Sequence, residues 1–490
     1  MYYRLKEPWA FRGWERLPFA IRAMTGPKRH DEPIWMEKAP FLDLLCCNGE
    51  EDVDLSAFSE EGRKTIGKLM SDGIIEQSET PLPPLSRYQR YHVYPSPRIC
   101  TVHWSITGKC NFQCRHCLVS APLAHHPQLP LSDCIHIADE IAKCGINRVD
   151  ITGGEPLVRR DFEEIVRILA ERNIDIGIIF TNTSLLTAET LDMLERYRQH
   201  PTFQISFDGL GHHDWLRGVQ GAEKQADQAL RLLRDRGYIV AAAMCIHRRN
   251  RDSLRDTVQY LAGMNVMRLR VCAPQHMGLW KQYADEFAMT EEEVWATYRD
   301  YIPHFFEDGM PMDLELEGYF RCLKGETDYK VSYVRHVEDE DWNHCSYCES
   351  VRWNVYIGPD GRLAPCMGFS GTSLNEKFPS VLEQPLGKLA MDSFYHDVVE
   401  TKVSDLLAKN PECAACEYLP ECCGGCMVES ITDEGDYLVP DARCCWFYKH
   451  IGENAVRAVA DAAIMKYQPG AKNGPDATDC GPVSLADCSI

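Results

Sequence analysis

The sequence predicts an α/β protein built of three unlike parts, and three observations predict it. From residue 98 to about 309, apolar β-branched runs alternate with helical stretches six times. Residues 1 to about 95 instead pass through short strand-like pieces into two helices. Beyond residue 310 the cysteines crowd together at short spacings near glycines. Six βα units imply a parallel sheet curled into a partial (β/α)6, TIM-like barrel, with chemistry at the C-terminal ends of its strands. The expected domains are a winged-helix-like unit (1–90), a linker (91–97), the partial barrel (98–310), a cysteine-rich domain (311–468) and a flexible tail (469–490).

With 490 residues the chain has ample length for two or three domains with buried cores. Its formal net charge of −21 opposes a nucleic-acid partner and favours a substrate or electron donor with local basic patches. No hydrophobic run is long enough to span a bilayer, so a soluble protein without a membrane partner is expected. Met1-Tyr2-Tyr3-Arg4-Leu5-Lys6 lacks the basic-then-apolar order of a signal peptide. The 23 cysteines point to metal binding in a reducing cytoplasm rather than to a secreted disulfide framework.

Taken in order, strands are expected over 2–11, 19–24 and 33–36, then helices over 38–47 and 59–70. Three strands before helices is a winged-helix-like order; acidic helices without a basic face argue against DNA. Pro81-Leu82-Pro83-Pro84-Leu85-Ser86 reads as a linker stretch. Barrel strands are expected over 99–106, 149–152, 176–181, 203–207, 239–246 and 266–271, with helices such as 160–172 and 223–236 between them.

The first barrel strand runs into Lys109-Cys110-Asn111-Phe112-Gln113-Cys114-Arg115-His116-Cys117, and the second closes on Gly153-Gly154-Glu155-Pro156. Both motifs therefore fall on one face of the sheet. Three thiolates hold three irons of a four-iron cluster and leave the fourth open to a small ligand. A glycine-rich turn ending in a carboxylate can hold an ammonium group beside it. For the triad alone, a zinc site or buried thiols is the plainer reading.

Together the two motifs resemble the core of the radical S-adenosylmethionine (radical SAM) enzymes. The resemblance implies Cys110, Cys114 and Cys117 as ligands of a [4Fe-4S] cluster, and Gly153, Gly154, Glu155 and Pro156 as the cradle of the cofactor's ammonium group. His116 holds the position that in the family packs near the adenine. Phe180-Thr181-Asn182-Thr183 and Ile205-Ser206-Phe207-Asp208-Gly209 resemble the segments that touch the cofactor's ribose and carboxylate, which assigns Asn182 and Ser206 to S-adenosyl-L-methionine. Arg217 is a further carboxylate partner on the same reading. Strand-end Ser and Asn also commonly cap the next helix.

In the C-terminal region Cys348 and Cys366 bracket Gly361, and Cys413-x2-Cys416-x5-Cys422-x3-Cys426 is followed by Cys444. These gaps match the seven-cysteine signature of the SPASM extension of radical SAM proteins. The resemblance implies two further clusters, three [4Fe-4S] in all. Cys348, Cys366 and Cys426 ligate the first, with Cys345 as fourth ligand; Cys413, Cys416, Cys422 and Cys444 hold the second, with Cys445 an alternative to Cys444. Paired zinc ribbons are the competing reading, and their paired CxxC strings are only partly present. Residues 351–357 leading into Gly358-Pro359-Asp360-Gly361 read as a strand and hairpin turn. Cys134, Cys144, Cys245 and Cys272, like Cys46-Cys47, read as small buried hydrophobes; Cys480 and Cys488 fall in the tail.

The resemblance implies a maturase, in an anaerobic host, that uses a 5′-deoxyadenosyl radical to take hydrogen from a ribosomally made precursor peptide. The bond then closed is a thioether or a carbon–carbon or carbon–oxygen link. Residues 1–90 resemble the domain that grips a leader peptide by strand addition, and a flavodoxin- or ferredoxin-type protein is the expected reductant. A formylglycine-forming anaerobic sulfatase-maturating enzyme is a competitor, but its base aspartate directly follows the cysteine matching Cys366, where this chain has Met367. A cofactor-biosynthesis dehydrogenase and a non-catalytic iron–sulfur electron carrier complete the alternatives, and the Glu155 turn opposes the carrier. No catalytic base is identified.

Overall fold

The computed structural model describes residues 1–6, 9–14, 17–23, 34–86, 89–94, 99, 101–121, 128–331, 342–348, 350–431 and 435–469. The expected tail, with Cys480 and Cys488, lies outside them apart from its first residue.

In the N-terminal region β1 (Tyr2–Leu5), β2 (Trp9–Trp14), β3 (Leu17–Ala23) and β4 (Ile34–Met36) precede helix α1 (Lys38–Leu45), β5 (Asn48–Asp52), helix α2 (Glu60–Ser71), β6 (Ile75–Ser78) and β7 (His92–Tyr94). The single strand expected over 2–11 is two. The Trp9 N–H donates to the Lys6 carbonyl between them, and they join different sheets, β5-β1-β6 and β4-β3-β2-β7. Helix α2 starts where the Ser59 hydroxyl accepts from the Gly62 N–H, with Glu60 and Glu61 in its first turn. Phe11, Phe41, Leu44, Ile66, Leu69 and Ile75 form one core beneath both sheets.

That core also corrects the linker. Leu85 is buried in it, and the Gln89 amide donates to the Leu5 and Trp9 carbonyls. His92–Tyr94 then pairs in parallel with Arg12, Gly13 and Trp14. Apolar contact and backbone pairing thus hold residues 82–86 and 89–94 against the N-terminal sheets; residues 87, 88 and 95–98 lie outside the described residues.

The barrel strands β8 (Thr101–Ser105), β9 (Arg148–Thr152), β10 (Asp175–Thr181), β11 (Thr202–Ser206), β12 (Val240–Cys245) and β13 (Arg268–Cys272) lie side by side in chain order. All their pairings are parallel. Helices α3 (Leu131–Lys143), α4 (Phe162–Glu171), α5 (Ala188–Arg196), α6 (His213–Arg217), α7 (Ala222–Asp235) and α8 (Leu254–Gly263) connect them. The six runs read from sequence match these strands to within a few residues.

Side-chain alternation sets inside from outside. On β8, Val102 and Trp104 join the main core with Cys134 and Ile137 of α3. The intervening His103 stacks on Phe180 of β10 at 4.9 Å. Arg148 crosses the concave side over Gly177, where any Cβ would lie 2.0 Å from the guanidinium.

Two features exceed the six-unit expectation. A seventh parallel strand, β14 (Asp313–Leu316), follows β13 and leads into antiparallel β15 (Phe320–Cys322) and β16 (Tyr329–Lys330). On the opposite edge β17 (Asn354–Ile357) pairs in parallel with β8 and turns into β18 (Leu363–Ala364). The C-terminal region therefore covers both edges of the sheet. The strand expected over 351–357 is half helix: Ser350–Trp353 is helical and pairing starts at Asn354, opposite Thr101, the first residue of β8. Among the described residues no helix is long and apolar enough to cross a membrane.

Candidate active site

The cysteine triad occupies the loop after β8, and the glycine turn after β9 is built against it. The Gly154 N–H donates to the Thr107 carbonyl at 2.8 Å and the Glu155 N–H to the Lys109 carbonyl at 2.9 Å. A Cβ on Gly154 would lie 2.3 Å from the Lys109 oxygen and 2.9 Å from the Cys110 Cβ; one on Gly153 would lie 2.5 Å from the Thr107 oxygen. Only glycine permits this approach.

Glu155 is fully buried. Its carboxylate accepts from the Leu157 N–H at 3.1 Å, the Thr181 hydroxyl at 2.9 Å and the Asn182 N–H at 2.7 Å. Burial nonetheless pushes its pKa up to about 7. From sequence this carboxylate is expected to meet the cofactor's ammonium. In the structure its partners are protein donors, and it ties the turn to the end of β10. Pro156 is buried at the start of the short helical turn that follows. The Asn182 amide donates to the Asn111 Oδ1 at 2.9 Å and lies 4.0 Å from the Cys110 sulfur. Ser206 sits half-buried at the end of β11.

Helix α6 packs under the triad: the Gln113 and Arg115 N–H groups donate to the Arg217 and Leu216 carbonyls. Arg217 faces inward rather than into an open pocket. Its Nε and Nη2 donate to Asp208 at 2.6 and 3.1 Å, and its Nη1 lies 3.8 Å from the Cys114 sulfur. Burial alone would raise Asp208; the Arg217 guanidinium and the His213 ring outweigh it and hold the carboxyl well below its ordinary range. His116 is half-buried, and desolvation of its ring and Arg217 drive its pKa down to about 3. Its Nδ1 is buried with no hydrogen-bond partner among the described residues. Its ring nitrogen, an Asp208 oxygen and the Cys245 sulfur lie within 4.8 Å of one another. Cys245 and Cys272 are register partners on β12 and β13 with sulfurs 3.8 Å apart. From sequence both are expected as small buried hydrophobes; their shared place at the strand ends follows only from the register.

The C-terminal cysteines form two groups. Cys348, Cys366 and Cys426 lie near one another: burial pushes Cys366 up to about 12, with Cys348 adding to it, and both sulfurs act electrostatically on the exposed Cys426. Cys345 packs beside Val403, Leu419 and Cys423. In the second group the Cys422 and Cys444 sulfurs are 3.7 Å apart. Burial lifts Cys413 to about 11, reinforced by Cys445, Cys422 and Cys416. Both Cys444 and Cys445 therefore reach this group.

Asp441, missed from sequence, joins the two groups. It accepts from the N–H groups of Arg443 and Cys444 at the start of the helix Ala442–His450 and from the Cys426 N–H at 3.1 Å. Its only sequence signal is an N-cap aspartate three residues before a cysteine. Arg443 donates to Glu291 at 2.8 Å and pairs with Glu429 at 3.8 Å, and Glu429 accepts from Gln275. These contacts fix the cysteine groups to the barrel mouth.

The donor set fits an iron–sulfur cluster. Burial raises the pKa of Cys110 to about 12 and also raises Cys114 and Cys117. Holding three such thiolates together needs a compact positive charge, which iron supplies. Among the described residues the Gly153 and Gly154 carbonyls accept no backbone hydrogen bond outside helices and strands.

Residues 104–261 match the model of the Radical SAM superfamily. The chain thus carries a radical SAM domain, which implies a [4Fe-4S] cluster and S-adenosylmethionine. It is similar to the AdoMet-dependent heme synthase of Methanosarcina barkeri, 24% identical over 368 residues, covering 72% of this chain and 97% of that protein. It is also similar to the PqqA peptide cyclase of Granulibacter bethesdensis, 24% identical over 372 residues, 73% of this chain and 90% of the other. In fold it resembles the crystal structure of Streptococcus suis SuiB bound to precursor peptide SuiA, at 15% identity and TM-score 0.61, over 90% of this chain and 99% of SuiB.

Proposed function

We propose that this chain is a radical SAM peptide maturase that abstracts hydrogen from a ribosomally made precursor and closes a side-chain thioether, carbon–carbon or carbon–oxygen link. The approach of Gly154 to Lys109 and Cys110 carries the reading. It sets a glycine-rich turn against Cys110, the first of the three cysteines, at the C-terminal ends of parallel strands. When bound, a four-iron cluster with S-adenosylmethionine supplies a 5′-deoxyadenosyl radical.

The residues around that site bind, orient and exclude water. Cys110, Cys114 and Cys117 hold the cluster; the Gly153–Pro156 turn holds the cofactor's ammonium through backbone carbonyls, and Glu155 keeps the turn in place. Arg217, fixed by Asp208, sets its positive charge beside Cys114 and favours that thiolate. Asn182, Ser206 and His116 line the adenosyl side. Cys348, Cys366 and Cys426, with Cys345 as fourth ligand, and Cys413, Cys416, Cys422 with Cys444 or Cys445 hold two auxiliary clusters for electron transfer in a SPASM-type domain. The N-terminal domain, extended to Tyr94, binds the leader, and a flavodoxin- or ferredoxin-type protein in the cytoplasm supplies electrons.

The SuiB likeness favours a peptide over a tetrapyrrole substrate. Covering 90% of 490 residues leaves about 49 unmatched, fewer than the 94 of the N-terminal region, so the likeness reaches into that region. The heme synthase match covers 97% of its own protein but 72% of this chain. Met367 continues to disfavour formylglycine formation.

The test is anaerobic incubation of reconstituted protein with S-adenosylmethionine, dithionite and the peptide encoded beside its gene. The expected result is one 5′-deoxyadenosine per link, a peptide lighter by two hydrogens, and about twelve irons per chain. Zinc in place of iron, or no cofactor cleavage by fully loaded protein, refutes the proposal.

A further inference from the structure

The triad loop also carries basic residues where it packs on helix α6. From Thr80 through Ser132 the sequence contains no Asp or Glu, although the chain holds 73 of them. Within that stretch Lys109 is exposed just before Cys110, and Arg115 follows Cys114. While Arg217 of helix α6 points to Cys114, Trp215 of the same helix lies beneath two guanidiniums. Arg115 is 4.9 Å and Arg249 5.1 Å from its ring centroid. Arg115 also lies 5.5 Å from the Tyr283 centroid and donates to the Trp215 carbonyl.

Stacking on a ring holds a guanidinium in place without neutralising it. Among the described residues neither Arg115 nor Arg249 has a carboxylate at salt-bridge distance. Their charged neighbours are satisfied. Arg248 is paired with Glu293. Asp214 accepts from the N–H groups of Gly221 and Glu223, Glu223 from that of Gly211, and Asp227 from Arg231 and Tyr260. Exposed Asp285 and Glu286 follow Tyr283 in sequence, so recognition rests on the two oriented cations rather than on a uniformly positive face. A chain of charge −21 thus fixes two unneutralised guanidiniums beside the loop that holds its proposed redox centre.

We propose that Arg115 and Arg249, stacked on Trp215, form the docking face for an acidic one-electron carrier protein of the flavodoxin or ferredoxin type. The inference rests on the radical SAM reading of the triad and not on the identity of the peptide. Carboxylates around the carrier's redox group meet the guanidinium edges, which steers encounter and sets orientation. A flavodoxin hydroquinone anion gives one electron across this face and leaves as the neutral semiquinone, so no proton crosses.

The experiment titrates flavodoxin into anaerobically reconstituted holoenzyme by calorimetry at low and high salt, and measures 5′-deoxyadenosine formation with flavodoxin or with dithionite. Arg249→Glu is expected to weaken flavodoxin binding about tenfold and flatten its salt dependence, with Arg249→Ala intermediate and Lys377→Glu unchanged. Flavodoxin-driven turnover should fall in step, while dithionite-driven turnover stays at the wild-type rate. Equal flavodoxin binding by Arg249→Glu and wild type overturns the docking face, as does an equal loss with dithionite. Failure of wild type to cleave the cofactor even with dithionite removes the radical reading, and this inference with it.

Discussion

Gly154 makes one of the closest backbone approaches to the triad loop. Gly154→Ala must push the Lys109 carbonyl and Cys110 aside, since the added Cβ would lie 2.3 Å from backbone. Reconstituted Gly154→Ala should lose about four irons per chain and all cofactor cleavage, while the two C-terminal groups keep theirs; full iron loading with normal cleavage would contradict the geometry. Asp175, at the opposite end of β10, titrates in the physiological range. Burial raises its pKa from 3.8 to about 6, and Arg148 only partly offsets this. A raised folded-state pKa contributes stability that is complete below pH 3.8 and is lost as pH rises through about 6. Asp175→Asn removes that loss. Denaturant titrations should show its stability relative to wild type growing by about 2 kcal/mol between pH 4 and pH 7.5; a constant difference would exclude the effect.

Strand β17 shows how a short element couples two regions. It brings Val355, almost fully buried, and Tyr356, whose ring meets His103 edge-on at 5.7 Å, onto the edge of β8. Val355→Asp buries an unpaired carboxylate there and should cost about 3 kcal/mol or more. Because β8 leads into the triad loop, amide exchange is expected to quicken in residues 101–107 as well as 354–364; quickening confined to 354–364 would mean that the barrel edge stands alone. The helix Ala442–His450 has a comparable double role, since Asp441 holds both Cys426 and Cys444. Single Cys444→Ser and Cys445→Ser variants should separate the two candidate ligands, with iron lost by about four per chain in the ligand's variant only.

Across the whole molecule, the N-terminal domain closes only with residues 81–94 in place, because Leu85, Gln89 and β7 complete its core and sheet. Deletion of residues 1–94 should abolish binding of the precursor's leader while dithionite-driven cofactor cleavage persists. Deletion stopping at residue 90 leaves β7 without its partner β2, and that protein should aggregate more. Unchanged leader binding after the longer deletion would assign the peptide to another surface.

Much of this was legible in the linear chain. The six parallel strands follow from the period of their apolar residues, and the two cysteine strings and the glycine turn from spacing, because these signals are local. Tertiary structure alone decided that the glutamate of the turn is enclosed by Thr181 and Asn182, that Arg217 faces Asp208, and that Cys245 lies beside Cys272. It also decided that β14 and β17 close the two edges of the sheet and that the supposed linker belongs to a sheet. Each of these depends on which distant segment becomes a neighbour, and burial, charge pairing and strand register settle that only once the chain has folded.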